Sequence, residues 1–531
     1  MTKQHLQIAL IPMEQRPNIL FLFTDQQRYD TIAQLGNDII KTPTMDRLVR
    51  EGTSFTRAYT PSPVCVSARC ALVTGLPPHV NGCWDNMAMR QDIPSFMDQL
   101  TAAGYQTHGV GKMHFTPDAT RMWGYESRDI SEEGAGANDA FRAYLAENDY
   151  GHVHEPHGIR SEYYYIPQPS QLPAHLHNTA WTADRSIDFL NQRDSTRPFF
   201  LWSSFIKPHP PFESPTPWNK LYRASDMPEP FRFEGMDAVQ SYWNLRQNRY
   251  KYRGAGYDAL LMRTMKAAYY SCISFIDFQM GRIIEALGDQ IDNTLILLSA
   301  DHGELLGDYG AVGKRCMLDA ACRVPMVVRY PRKYQAGTQC NIPVSLLDVY
   351  PTFTSAAECD KVTVSTEGLP LNDIADGKTD RDATYSQFQT GSYGLYMVTT
   401  QTHKYVYSVA DKKEMLFDLV ADPKETLNQI DNAMYADVLG ELKNRLITRM
   451  AEGDSDRLIV ENGQWTTYAG HTFPTDDPDI GLLYQDPGNT QDLVDALGPD
   501  YAHCVTKPGS ESHVMIDTSD RQHPLSRESN V

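Results

Sequence analysis

Residues 18–26, NILFLFTDQ, are an apolar run of strand length that stops at two polar residues, Asp25 and Gln26. A strand without polar alternation is buried on both faces, as in a parallel sheet covered by helices. The same order of strand and polar end returns three times, twice as an apolar run. YQTHGVG (105–111) runs into Lys112 and His114, PFFLWSSF (198–205) into KPHPPF, and TLILLSA (294–300) into DHGE. Helical segments separate these runs. One begins near Pro43, with Thr42 as its N-cap, and another spans 93–103 and stops at Gly104. The pattern predicts an α/β fold: a large mixed, mostly parallel sheet sandwiched by helices. Ligands of such sheets lie beyond the carboxyl ends of the strands, so the four polar strand ends are expected to converge on one site.

Composition narrows the function classes. The 531 residues exceed what one core fills, which predicts a main domain over 1–379 and at least one smaller unit. From about 380, short strand-like runs (ATYSQF, GLYMVTT, KYVYSV, EMLFDL) precede an amphipathic helix at 432–450, implying a small antiparallel sheet packed with a helix over 380–450. Residues 451–531 are rich in Pro, Gly, Asp and Ser and are expected to form a tail or wrapping arm that contributes homo-oligomer contacts. A net charge of −19 argues against a nucleic-acid partner. No stretch approaches the roughly 20 apolar residues of a membrane span. Nine cysteines without a CxxC pair exclude zinc ribbons and disulfide scaffolds. The first residues lack an apolar leader, which points to the cytoplasm.

Chemistry concentrates in PSPVCVSARCALVTG (61–75). Cys65 ends an extended stretch and opens a helix, where the dipole favours a nucleophilic anion. Arg69, four residues on, returns to its side. Alone, such a pair is most often a buried cysteine near a surface arginine. Its company is what counts: Asp25, Gln26, Asp301 and His302 at strand ends, and the cations Lys112, His114, His209 and Lys314. The histidines of GHVHEPHG (His152, His154, His157), with Tyr163, Tyr164 and Tyr165, fit an insertion walling a pocket better than a second metal site. Cys316 and Cys322 read as buried thiols.

These segments resemble the type I sulfatases of the alkaline phosphatase superfamily. The likeness covers most of residues 17–450 through PNILFLFTDQ, TPTMDRLVREGTSFTRAY, Cys65–Arg69 with Thr74–Gly75, GKMHF, KPHPPF, SADHGELLGD with GK, RVPMVVRYP and FDLVADPKETLN, in the family's order. The resemblance implies that a maturase oxidises Cys65 to formylglycine. The hydrated aldehyde of that residue would attack sulfur with one hydroxyl and expel sulfate through the other. Ser67 stands where the family usually has Pro or Ala, which bears on recognition by the maturase. Asp25, Gln26, Asp301, His302 and modified Cys65 are the implied ligands of one divalent metal, Ca²⁺ first, with Mn²⁺ or Mg²⁺ as alternatives. The Asp-Gln and Asp-His pairs, and Asn86 as a holder of the transferred group, are similar to the choline sulfatase and phosphonate monoester hydrolase branch. Lys112 and His114, which the phosphonate hydrolases replace, favour sulfate. By resemblance Arg69 supports the nucleophile, His209 and Lys314 flank the leaving oxygen, and His114 acts as a base on the spare hydroxyl. The expected activity is sulfur–oxygen cleavage of a small or oligosaccharide sulfate monoester, a carbohydrate sulfate first. A phosphonate or phosphodiester hydrolase, or an inactive binder of sulfated glycans, are the alternatives.

Overall fold

The structure, a computed structural model, describes residues 16–133, 138–160, 164–251, 258–359, 366–452 and 456–471. Eight strands build the main sheet: β1 (Asn18–Asp25), β2 (Thr53–Phe55), β3 (Gln106–Gly111), β4 (Ser127–Ile130), β5 (Phe199–Pro208), β6 (Thr294–Ala300), β7 (Met326–Arg329) and β8 (Thr338–Cys340). Their order is β8-β2-β7-β6-β1-β5-β3-β4. Only β7 runs against its neighbours; every other pairing is parallel. The mostly parallel sheet expected from the apolar runs is therefore present.

Both faces of the central strands are covered, which is why their sequences lack polar alternation. Ile19, Phe21 and Phe23 join Phe200, Trp202, Leu295 and Leu297 in one core. Leu20 and Leu22 join Leu201, Ile296 and Leu298 in the other. Burying each such side chain contributes about 1.5–3 kcal/mol. The helices that cover the two faces include α1 (Pro43–Glu51), α2 (Cys65–Thr74), α3 (Phe96–Ala102), α4 (Asn178–Gln192), α5 (Ala259–Glu285) and α6 (Val349–Ala356). The first core takes Val73 of α2, Leu100 of α3 and Phe353 of α6. The second takes Leu48 of α1, Trp181 of α4 and Ile276 of α5.

Two local expectations change. The helix read over 93–103 spans α3 alone, opened by a Ser95–Asp98 capping box and stopped at Gly104, whose φ is 92°. Thr42 occupies the N-cap position of α1 without capping it. The free N–H groups of Thr44 and Met45 instead donate to Asp277 of α5, at 3.0 and 2.7 Å.

The second unit is an antiparallel sheet of β9 (Ala383–Phe388), β10 (Leu395–Thr400), β11 (His403–Ser408) and β12 (Lys413–Asp418), joined in sequential order. Helix α7 (Ala436–Met450) packs Leu442 and Leu446 on its Tyr396, Val398 and Tyr405. The helix expected from 432 begins at 436, after a 3-10 turn over Ala433–Tyr435. Strand β9 closes on the segment leading to α2. Gln387 N–H donates to the Pro61 carbonyl at 2.9 Å, and the Ser386 hydroxyl donates to that of Thr60. Lys404, fully buried, bridges Asp319 of the main domain and Glu425. Beyond α7, Trp465 stacks on Tyr396 and Tyr407. Of the tail 451–531, from which oligomer contacts were expected, residues 472–531 lie outside the described residues. Among the described residues no helix is long and apolar enough to cross a membrane.

Candidate active site

Register alone brings two carboxylates together. Thr24 of β1 pairs with Ala300 of β6 in parallel, so Asp25 and Asp301 emerge side by side at neighbouring strand ends. On the other flank the β1–β5 register slips after Thr24 and sets Asp25 opposite Pro208. Helix α2 supplies Cys65 as its first residue. One ligand atom each from Asp25, Cys65, Asp301 and His302 lies within 4.8 Å of the others, and all four residues are buried.

The donors suit a divalent cation. The His302 Nδ1–H donates to the Gly303 carbonyl at 3.0 Å, leaving Nε2, 3.3 Å from the Cys65 sulfur, as the lone-pair nitrogen. Burial and then the Asp25 charge push the Asp301 carboxyl up. A divalent ion between two such carboxylates favours the ionised form of both. Gln26, forced to a φ of 69°, accepts from Lys314 Nζ through its side-chain oxygen at 2.9 Å. Its amide nitrogen donates to Glu304.

Cations surround this set. Lys314 Nζ lies 2.8 Å from the Cys65 sulfur, and Lys112 Nζ lies 2.8 Å from Asp25 and also pairs with Glu133. Burial pushes the Cys65 thiol up, but Lys314, Lys112, His302 and a hydrogen bond from His114 outweigh it and hold the thiol well below its ordinary range. Arg69, with no exposure, reaches Asp301 at 3.0 Å and Asp25 at 3.2 Å and donates to the Lys112 carbonyl at 2.6 Å. It thereby ties three strand ends to α2. Burial raises the Asp25 carboxyl and Cys65 adds to that, yet Lys112, His209 and Lys314 bring it below the usual carboxylate range.

His209 lies on the loop after β5, its Nδ1 2.7 Å from Glu133 and its Nε2 3.4 Å from the Tyr164 hydroxyl. Asn86 accepts the Val66 N–H at 3.2 Å and so caps α2 beside Cys65. Ser67 donates to the Cys83 carbonyl at 2.5 Å, fastening the helix to the loop that carries Asn86. The structure thus gathers Asp25, Gln26, Cys65, Arg69, Lys112, His114, Asp301, His302 and Lys314 into one connected network. His209 joins through Glu133, and Asn86 through the backbone of α2.

Three further participants are not singled out by sequence reasoning. Glu304 accepts from Tyr165 at 2.8 Å and from the backbone of Leu306 at 3.0 Å. It is the last letter of DHGE, and its place just past an apolar strand is the signal that could have found it. Glu133 and Arg160, paired at 2.8 Å, sit in loops without periodicity. Tyr164 and Tyr165 belong to the insertion read as a pocket wall; Tyr163 lies outside the described residues. His152 and His154 are exposed and His157 is buried. Among the described residues the only gathered ligand set is the one at Cys65. Cys316 and Cys322 are buried thiols, as expected.

The family profile described as Sulfatase matches residues 17–359, and the profile of the N-sulphoglucosamine sulphohydrolase C-terminal region matches 307–452. An arylsulfatase of Clostridium perfringens is 29% identical over 466 residues, covering 82% of this chain and 94% of its own. An N-acetylglucosamine-6-O-sulfatase of Bacteroides thetaiotaomicron is 25% identical over 503 residues, covering 81% and 86%. The solved phosphonate monoester hydrolase of Agrobacterium radiobacter superposes with a TM-score of 0.71 at 26% identity, over 82% of this chain and 96% of that one. With a profile match spanning the main sheet, its helices and every residue around Cys65, the chain belongs to the sulfatase family and is a sulfatase enzyme.

Proposed function

We propose that the protein hydrolyses the sulfate monoester of a carbohydrate by sulfur–oxygen cleavage at a formylglycine made from Cys65. The observation that carries this reading is the placement of the Cys65 sulfur. It lies at the start of α2, within reach of Asp25, Asp301 and His302, and 2.8 Å from Lys314. A sugar substrate is supported by the glucosamine-6-O-sulfatase relative and by the C-terminal profile.

Formylglycine at residue 65, hydrated by water to its gem-diol, would supply one hydroxyl for attack on sulfur and a second through which sulfate would leave as the aldehyde re-forms. Asp25, Gln26, residue 65, Asp301 and His302 would hold one divalent ion, Ca²⁺ first, whose charge favours the nucleophile and the sulfate oxygens. The chain's own groups do the rest. Arg69 fixes Asp25 and Asp301. Lys112 and Lys314 set positive charge where the sulfate's negative charge concentrates. His209 protonates the leaving oxygen, and His114 removes the proton from the spare hydroxyl. Asn86 holds the transferred group beside the N-terminus of α2.

Purified protein co-expressed with a maturase should turn over 4-nitrophenyl sulfate and members of a sulfated-sugar panel. Cys65→Ala should lose at least about 1,000-fold in kcat/KM. Equal turnover by both proteins, or an unmodified Cys65 peptide by mass spectrometry of an active sample, defeats the reading. The likeness to a phosphonate monoester hydrolase supports a second reading, phosphonate ester hydrolysis at the same site. The ratio of kcat/KM for matched sulfate and phosphonate esters decides between them, and Lys112 and His114 favour sulfate.

A further inference from the structure

Glu133 takes no step in the proposed reaction, yet it touches three of the groups around it. Its carboxylate lies 2.7 Å from Nδ1 of His209 and 2.8 Å from Arg160, and it also pairs with Lys112. Nδ1 is close to a second acceptor too, the Pro210 carbonyl at 2.8 Å. With two acceptors on one side, the Nδ1 proton is retained in every charge state of the ring, and the nitrogen that can exchange a proton is Nε2. Nε2 faces the Tyr164 hydroxyl at 3.4 Å. Glu133 is half-buried, so its charge acts on the ring with little screening by solvent.

We propose that Glu133 is the positioning residue of the leaving-group acid: it holds the His209 ring with Nε2–H presented to the departing oxygen and stabilises the imidazolium that donates. This rests on the sulfatase reading of the site. As the bond from sulfur to the alcohol oxygen breaks, its electron pair stays on oxygen, which takes the Nε2 proton. The ring becomes neutral and keeps Nδ1–H toward Glu133. Lys112 also touches this carboxylate, but its 2.8 Å pairing with Asp25 holds it in the anion clamp without Glu133, so the proposed role of Glu133 concerns the acid alone.

Leaving-group dependence tests this, because protonation matters only when the departing oxygen is basic. Wild type, Glu133→Gln, His209→Gln and the double variant are compared on 4-nitrophenyl, phenyl and 4-methoxyphenyl sulfate. Glu133→Gln should lose roughly 100-fold in kcat on phenyl and 4-methoxyphenyl sulfate and about threefold or less on 4-nitrophenyl sulfate. The double variant should be no slower than His209→Gln. A uniform loss across the series, a change confined to KM, or additive losses in the double variant overturns the proposal. If Glu133→Gln does not fold, nitrogen-15 shifts of His209 in the wild-type holoenzyme decide: a ring protonated only at Nε2 overturns it. Turnover surviving Cys65→Ala strikes the parent reading instead, so the two failures are separable.

Discussion

Arg69 shows how one side chain can hold a site together. Its planar fork meets Asp25, Asp301, the Lys112 carbonyl and, at 3.1 Å, the Ser204 hydroxyl. Lysine cannot reproduce that fork, so Arg69→Lys should lower stability by about 3–5 kcal/mol through unpaired buried charge and cut kcat/KM at least about 100-fold. Denaturant titration alongside kinetics checks both, and an unchanged denaturation midpoint would count against the cross-link. Cys65 and Arg69 were legible because four residues on a helix return to one side. Asp25 and Asp301 were legible because a carboxylate at the tip of an apolar strand is out of place unless paired. Glu133 was not. It meets His209 and Lys112 only through the folded chain, and nothing in a loop's composition reveals which strand end it will face.

At the scale of elements, the long central strands could be read from their unbroken apolar runs, while β2, β7 and β8, of three or four residues each, are too short to carry a period. The cap of α1 escaped for a related reason. Thr42 is the local choice, yet the cap comes from Asp277, which leaves no mark on local pattern at a separation of 233 residues from Thr44. Gly111 ends β3 just before Lys112 with a φ of 86°, and a Cβ there would lie 2.1 Å from the Ser204 carbonyl oxygen. Gly111→Ala must therefore push β3 from β5 at the point that delivers Lys112. The expected result is a loss of roughly 2 kcal/mol or more, from strain at a positive φ and overpacking together, with activity falling further than stability. A variant with wild-type melting and turnover would show that the strand ends tolerate displacement.

For the whole molecule, two buried histidines set a response to acid. Burial, reinforced by Arg449 at His79 and by Lys207 at His157, pulls both down to about 3 from an ordinary 6.5. The unfolded chain binds these protons first, so the stability they confer is present above pH 6.5 and is lost as pH falls toward 3, at about 1.4 kcal/mol for each unit of difference per site. His157 packs against Phe141, the rings tilted with centroids 5.4 Å apart, so His157→Phe should keep the packing and flatten the loss of melting temperature between about pH 6.5 and 4. A slope equal to wild type would remove His157 from this role. The small antiparallel sheet was readable from the change of rhythm near 380, whereas its contact with the segment before α2 and with Asp319 was not, since Ser386–Thr60, Gln387–Pro61 and Lys404–Asp319 meet across long stretches of chain. That contact has a consequence in time. Ser386 grips Thr60 across 326 residues of chain, so a ribosome must finish β9 long after it has made Cys65. Until then the Thr60–Pro61 segment that leads into Cys65, a thiol only 2% exposed once folding ends, lacks the strand that closes over it.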